Sequence, residues 1–70
     1  MKSRELIRLL LRAGWFIVRQ TGSHVIMRHL IEDKLVVVPM HGGKEIGKKL
    51  LRKILKRAGM LDGGSKYEKN

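Results

Sequence analysis

The sequence contains no cysteine and few aromatic residues. The absence of cysteine excludes a disulfide framework and any thiolate metal site. Disulfide-free chains are typical of a reducing compartment, so we expect the protein to be cytoplasmic. Because aromatic residues make up only 4% of the chain, the large rings are limited to Trp15, Phe16 and Tyr67. Aliphatic side chains must therefore build most of the core.

Long hydrophobic runs are also missing. The longest, 35–40, is far shorter than the roughly 20 residues that a membrane helix requires. Arg8 and Arg12 interrupt what would be the apolar region of a signal peptide, and no small-residue cleavage site follows. We therefore expect no membrane association and treat the chain as mature. With 70 residues, there is room for a single small domain.

Acidic side chains are scarce: 6 Asp and Glu oppose 16 Lys and Arg, which leaves a net charge of +10. This exceeds what solubility requires of a small domain and indicates a polyanionic partner. The excess is concentrated in residues 1–28 and 44–57, whereas residues 29–43 are nearly neutral. Whether the two basic segments form one surface depends on the fold.

Hydrophobic spacing predicts five elements in the order α-β-β-β-α. Leucines at helical spacing follow Ser3, a good N-cap, and predict a first helix that ends near Ala13. Runs rich in β-branched residues over 15–20, 24–30 and 35–39 predict three strands, the first two joined by a tight turn. Apolar residues spaced by about four, beginning at Ile46, predict a second helix that stops at Gly59.

This order predicts an α+β domain with a three-stranded antiparallel sheet and both helices on one face. The domain should occupy residues 1–61. A glycine-rich sequence begins the remaining segment, 62–70, which we expect to be a flexible C-terminal tail.

Several short motifs occur in a distinctive order along residues 3–61. They are Gly14-Trp15, Gly22-Ser23-His24, Val37-Val38-Pro39 followed by His41, the segment Leu51-Arg52-Lys53-Ile54-Leu55-Lys56, and Ala58-Gly59. In this order the chain resembles the HicA family of small toxins from bacterial and archaeal toxin–antitoxin pairs. It differs just before the Leu-Arg-Lys-Ile-Leu segment, where many members have Gly-Thr and this chain has Lys49-Leu50.

The resemblance implies a fold similar to the double-stranded-RNA-binding domain. It also implies that the chain is the toxin of a type II pair, an endoribonuclease that cleaves mRNA and arrests translation and growth. A HicB-type antitoxin would neutralise it by covering the active surface. In this family pattern, the catalytic residue is the histidine of Gly-Ser-His, which is His24 here.

The residues themselves make such chemistry reasonable for His24. RNA carries its own nucleophile, the 2′-hydroxyl, so cleavage requires a base, charge stabilisation at the phosphate and in-line geometry, without a metal or other cofactor. Imidazole titrates nearest to neutral pH among ordinary side chains. Gly22 would let the turn approach the RNA backbone, and Ser23 could hydrogen-bond a phosphate. The alternatives are an ordinary hairpin turn, a non-catalytic basic RNA-binding module, and an adaptor that binds acidic lipids or acidic proteins through amphipathic helix two.

Cationic side chains supply the other candidate RNA contacts. Helix two is so rich in Lys and Arg that its outer face repels itself unless a polyanion binds there. With Gly22 and Ser23, the candidates are Arg28, Lys44, Lys48, Lys49, Arg52, Lys53 and Lys56. By strand parity His29 should be a packed or rim histidine, whereas His41 could contact RNA, act as a general acid or have no task. We predict no metal site, because no carboxylate accompanies the histidines.

Overall fold

A computed structural model describes residues 1–60 of the chain, and the predicted tail over 62–70 lies outside these residues. The elements are α1 (Ser3–Arg12), β1 (Trp15–Thr21), β2 (His24–His29), β3 (Leu35–Pro39) and α2 (Lys48–Arg57). The strands form an antiparallel sheet in the order β1-β2-β3. This confirms the predicted α-β-β-β-α architecture.

Both helices pack against the same face of the sheet. Alternation along β2 directs Val25 and Met27 into the core, where they are 3% and 0% exposed. Strands β1 and β3 add further apolar side chains, and the helices cover them. The buried apolar residues are Leu6, Leu10, Trp15, Val25, Met27, Val36, Val38, Ile46, Ile54 and Ala58. One aliphatic layer with a single tryptophan thus holds the domain together.

The other face of the sheet is not covered by any element within residues 1–60. Cross-strand pairing places Ile26 beside Val37, and Arg28 between Phe16 and Leu35. Phe16, Leu35 and Val37 are each about 40–46% exposed. The sheet therefore separates a closed core from an open surface that is partly apolar.

A β-bulge at Val18 changes which side chains of β1 face the open surface. Ile17 pairs with Met27, but the next pair joins Arg19 to Ile26, so Val18 has no partner on β2. A bulge shifts the register by one residue and reverses the alternation beyond it. As a result Arg19, rather than Val18, lies opposite Ile26, and Thr21 lies opposite His24.

The prediction that Ser3 caps the first helix is wrong. Lys2 is the N-cap, and its backbone N–H donates to the Glu5 carboxylate at 2.7 Å. Ser3 is 1% exposed, and its hydroxyl donates to the carbonyl of Pro39 at the end of β3. The serine therefore fastens α1 to the edge of the sheet instead of capping the helix.

The predicted start of helix two also needs correction. Ile46 precedes the helix, which begins at Lys48 with Gly47 as its N-cap. Ile46 instead donates its N–H to the carbonyl of Met1, while Lys2 and Glu45 form an isolated antiparallel bridge. The side chain of Ile46 still lies in the core and is 4% exposed. The N-terminal residues and the segment before α2 thus form a small non-local pairing that hydrophobic periodicity does not reveal.

Candidate nucleic-acid interface

Three chain segments lie together at one end of the sheet. The β1–β2 turn is closed by two residues, Gly22 and Ser23, with Gly22 at φ +59, as a tight hairpin turn of this kind requires. Met40 donates its N–H to the Ser23 carbonyl at 2.6 Å. The starts of α1 and α2 meet here as well, through Ser3 and Ile46. We call residues 1–4, 22–24 and 39–48 the hairpin end.

His24 lies at the hairpin end with its side chain exposed. It is the first residue of β2, and its cross-strand partners are Thr21 and Pro39. Within residues 1–60 no hydrogen-bond partner orients its imidazole. The ring is therefore accessible to a large ligand such as a nucleic acid.

His41 lies at the same end of the molecule, two residues beyond the strand partner of His24. It is exposed, and its backbone carbonyl accepts the N–H of Lys44 at 3.2 Å in a turn. The hairpin end thus holds two accessible imidazoles. A possible role of His41 as acid or RNA contact stays a prediction.

His29 has a structural role, as predicted from strand parity. Its Nδ1 accepts the backbone N–H groups of Ile31 and Glu32, at 3.0 and 3.1 Å. Because Nδ1 is an acceptor, Nε2 carries the proton and donates to the Ala13 carbonyl at 3.0 Å. The ring also packs edge-on against Trp15, with centroids 5.1 Å apart. This histidine closes the loop after β2 and is not available for catalysis.

The cations of the hairpin end are Lys2, Arg4, Lys44 and Lys48, and its one acidic residue is Glu45. That carboxylate contacts the Met1 ammonium group. The hydrogen bond and the positive charge of this ammonium hold the pKa of Glu45 below its usual value. Glu45 therefore remains ionised near neutrality and is engaged with the N-terminus. The surface has a net positive charge.

Two of the other acidic side chains of residues 1–60 are engaged elsewhere. Asp33 pairs with Arg28 at 3.1 Å and Glu32 with Lys34 at 3.3 Å, both at the opposite end of the sheet. Glu5 caps the start of α1. Helix α2 contains no acidic residue. Within residues 1–60, the hairpin end thus carries four cations against the one carboxylate of Glu45.

The cations of α2 form two rows with a spacing of four residues. One row is Lys48, Arg52 and Lys56, and the other is Lys49, Lys53 and Arg57. The buried Ile54 and Ala58 define the opposite, core-facing side of the helix. Lys48 and Lys49 occupy the first turn, beside the hairpin end. Lys53 and Arg57 instead border a groove against Leu35 and Val37, nearer the opposite end.

The structure brings most, but not all, of the predicted site residues together. Gly22, Ser23, His24, Lys44 and Lys48 share the hairpin end, and Lys49 is adjacent.

Arg28 shares the open sheet face with His24, as predicted, but does not share its site. The two are four residues apart on β2, which corresponds to about 13 Å along the strand. Arg28 is also paired with Asp33. Lys2 and Arg4 belong to the hairpin end and were not among the predicted site residues, because their place beside the turn depends on the non-local bridge to Glu45.

Among residues 1–60, no group of three or more His, Asp or Glu side chains is arranged to hold a metal ion. Over the same range, neither helix has the length and apolarity needed to cross a bilayer.

The fold and the hairpin end together define a small basic α-β-β-β-α domain with an accessible histidine at a cationic end. A family model described as HicA toxin of bacterial toxin–antitoxin matches residues 3–60. The chain therefore belongs to the HicA toxin family and is a toxin of a toxin–antitoxin system. In a comparison with curated proteins, no sequence matches the chain.

Proposed function

We propose that this toxin is a metal-independent endoribonuclease that cleaves mRNA at the hairpin end, with His24 as the general base. The observation that supports the proposal most directly is the exposed imidazole of His24 within a surface of unneutralised cations. The HicA family is also associated with mRNA cleavage. Cutting mRNA would stop translation and growth.

The reaction that fits these residues is a transesterification. His24 removes the proton of a ribose 2′-hydroxyl, and the resulting oxygen attacks the adjacent phosphorus. The bond from phosphorus to the 5′-oxygen of the next nucleotide breaks, and that oxygen takes up a proton as it leaves. The products are a 2′,3′-cyclic phosphate and a 5′-hydroxyl. Cations near His24 would stabilise the negative charge that builds up on the phosphate oxygens.

Backbone phosphates explain why the first turn of α2 carries Lys48 and Lys49. The N-terminus of a helix is the positive end of its dipole, so cations there destabilise an isolated helix. No acidic residue in that turn offsets them. A bound phosphate would offset both the dipole and the charges. These lysines therefore fit a role in binding better than a role in stability.

A non-catalytic RNA-binding module is the second candidate function. The specific observation that favours it is that no group within residues 1–60 orients the His24 ring. Catalytic bases are commonly positioned by a third side chain. In the catalytic proposal the RNA itself would fix the ring, so the two candidates differ in whether bound RNA is cut.

We also propose that a HicB-type antitoxin neutralises the protein by covering the hairpin end. A partner that excludes RNA from this surface would meet Lys44, Lys48 and Lys49. It should therefore present acidic side chains to them.

The proposal is tested with a 5′-labelled RNA oligonucleotide incubated with the purified protein in excess EDTA. We expect cleavage to proceed and to leave 2′,3′-cyclic phosphate ends. The same oligonucleotide with 2′-deoxyribose throughout should remain intact because it lacks the nucleophile. Binding of RNA without any cleavage would favour the second candidate function, and cleavage that stops in EDTA would restore a role for metal.

Replacing Lys49 with glutamate should have opposite effects on stability and on RNA binding. A carboxylate in the first turn of α2 interacts favourably with the helix dipole and should stabilise the fold by about 0.3–1 kcal/mol. The same change removes a phosphate contact, so RNA affinity should fall and become less dependent on salt. Thermal unfolding and fluorescence anisotropy over a salt series measure the two effects.

The matched control is Arg57→Glu, which reverses a charge on the same row of α2 but at its other end. There a carboxylate opposes the helix dipole, and the substitution also removes the hydrogen bond that Arg57 Nε donates to the Leu35 carbonyl. We therefore expect lower stability from both causes, with a smaller loss of RNA affinity. Equal losses of affinity in both variants would indicate that α2 acts only through its total charge.

A further inference from the structure

An open cleft lies between the start of α1 and the segment that follows β3. It is lined by Lys2, Arg4, Met40, Gly42 and Gly43 and has a volume of about 400 Å³. Two of its five lining residues are cations and none is acidic. The cleft is thus an electropositive recess rather than an apolar one.

Two glycines, Gly42 and Gly43, form one wall of the cleft. The backbone conformation requires glycine at only one of these two positions. Gly42 has φ +65, which disfavours other residues. Gly43 does not have a positive φ, and a Cβ built on it would meet no atom within 4 Å. Neither the backbone nor the packing within residues 1–60 therefore requires glycine at position 43. Its missing side chain does, however, leave the backbone open to close approach by a ligand.

The cleft is directly connected to the turn that carries His24. Met40, one of its lining residues, donates its N–H to the carbonyl of Ser23. Pro39, the residue before it, is the strand partner of His24. An RNA strand with one phosphate at His24 would therefore pass the cleft in one of its two directions along the surface.

The cations of the cleft are only partly offset by nearby carboxylates, since Glu5 lies in the same first turn of α1 and Glu45 interacts with Lys2. Lys2 is the N-cap of α1 and Arg4 lies in its first turn, at the positive end of the helix dipole. Arg12, on the same row of α1, lies in the last turn, where a cation is favourable. An anion in the cleft would compensate the unfavourable positive charges of Lys2 and Arg4.

We propose that this cleft binds a backbone phosphate of the RNA strand, next to the phosphate that reacts at His24. Arg4 and Lys2 supply the positive charge, and guanidinium is well suited to bind two phosphate oxygens at once. Gly43 lets the phosphate approach the backbone. This inference rests on the proposed function, since it assigns part of the RNA path across the hairpin end.

The test compares Arg4→Gln with Arg12→Gln, which removes the same charge from the other end of the same row. Binding of a fluorescein-labelled single-stranded oligonucleotide is measured by anisotropy at several salt concentrations in EDTA. The probe is the 2′-deoxy form of the RNA, which cannot be cleaved because it lacks the 2′-hydroxyl. We expect Arg4→Gln to weaken binding about tenfold, as for loss of one charge-assisted hydrogen bond. Its salt slope should decrease by about 0.7. Arg12→Gln should leave the slope unchanged.

Gly43→Val provides an independent variant that changes no charge. Since space is open around position 43, the melting temperature should match that of the unchanged protein, while RNA affinity should fall severalfold. Wild-type RNA affinity in both Arg4→Gln and Gly43→Val would overturn the proposal. An equal loss of affinity in Arg4→Gln and Arg12→Gln would also overturn it, because RNA affinity would then depend only on the total charge of the protein.

Two further readouts separate this inference from the proposed function and from a protein ligand. If the unchanged protein binds RNA but never cuts it, the catalytic proposal fails. The RNA affinities of the Arg4 and Gly43 variants still test the phosphate site in the cleft. Polyglutamate serves as a probe for an acidic protein partner. Loss of polyglutamate binding in both variants, with RNA binding intact, would overturn the phosphate site in favour of a protein contact.

Discussion

Replacing His24 with alanine should reduce RNA cleavage by about 10²- to 10⁴-fold, the range that a positioned general base contributes. In cells, expression of the variant should no longer arrest growth. The fold should be unaffected, because the side chain is exposed and has no hydrogen-bond partner within residues 1–60. We expect its free energy of unfolding to stay within about 0.5 kcal/mol of the unchanged protein.

The rate is measured with labelled RNA under single-turnover conditions, so that binding and cleavage are separated. RNA affinity should change only a few-fold, since one neutral side chain is lost while the cations remain. His24→Gly offers a second readout: the position of the lost side chain is open to solvent, so free imidazole added to the buffer should restore part of the rate. Undiminished cleavage by His24→Ala would remove this residue from the mechanism.

His41→Ala is the appropriate comparison, because this second imidazole is also exposed and lies at the same end. If His41 only contacts RNA, its loss should weaken binding and leave the single-turnover rate at saturating protein unchanged. A rate as low as that of His24→Ala would assign it the role of general acid. His29 is unsuitable as a control, because its ring holds Ala13, Ile31 and Glu32 in place.

Local patterns in the sequence were sufficient to predict the fold, because each element carries its own signal. The alternation of β2 correctly separated Val25 and Met27 from His24 and Ile26. The turn at Gly22-Ser23 followed from residue types alone. These features depend on neighbours within a few positions, where steric and hydrophobic preferences act directly.

Features that depend on distant residues could not be predicted in this way. Ser3 donates to a carbonyl 36 positions away, and Met1 contacts a carboxylate 44 positions away. The bulge at Val18 depends on how β1 pairs with β2 and leaves no mark in composition. The contacts of Ser3 and Met1 bring the start of α1 to the hairpin turn, and the bulge places Thr21 opposite His24.

The separation of Arg28 from His24 has the same origin. Parity along a strand predicts the face that a side chain occupies but not its neighbours at a distance of four residues. The ion pair with Asp33 requires the loop after β2 to fold back, and His29 fixes that loop. Sequence reasoning therefore identified the face that Arg28 shares with His24 but not the distance between the two side chains.

Replacing Trp15 with alanine should unfold most of the protein at 37 °C. Trp15 is 2% exposed and is among the largest fully buried side chains of the core. Such a truncation costs about 3–5 kcal/mol. A domain of this length has a total stability of roughly 3.5–10 kcal/mol. The loss is thus comparable to the whole, and far-ultraviolet circular dichroism during urea unfolding should show it.

Phe16→Ala is the matched control, since the next residue along β1 points to the open face and is 40% exposed. Its loss should cost less than about 1.5 kcal/mol. Trp15→Phe tests a finer point, because the buried Nε1 of Trp15 has no hydrogen-bond partner within residues 1–60. Phenylalanine removes that unsatisfied donor, which offsets part of the lost contact area. Equal destabilisation by Trp15→Ala and Phe16→Ala would contradict a core confined to the helix-covered face.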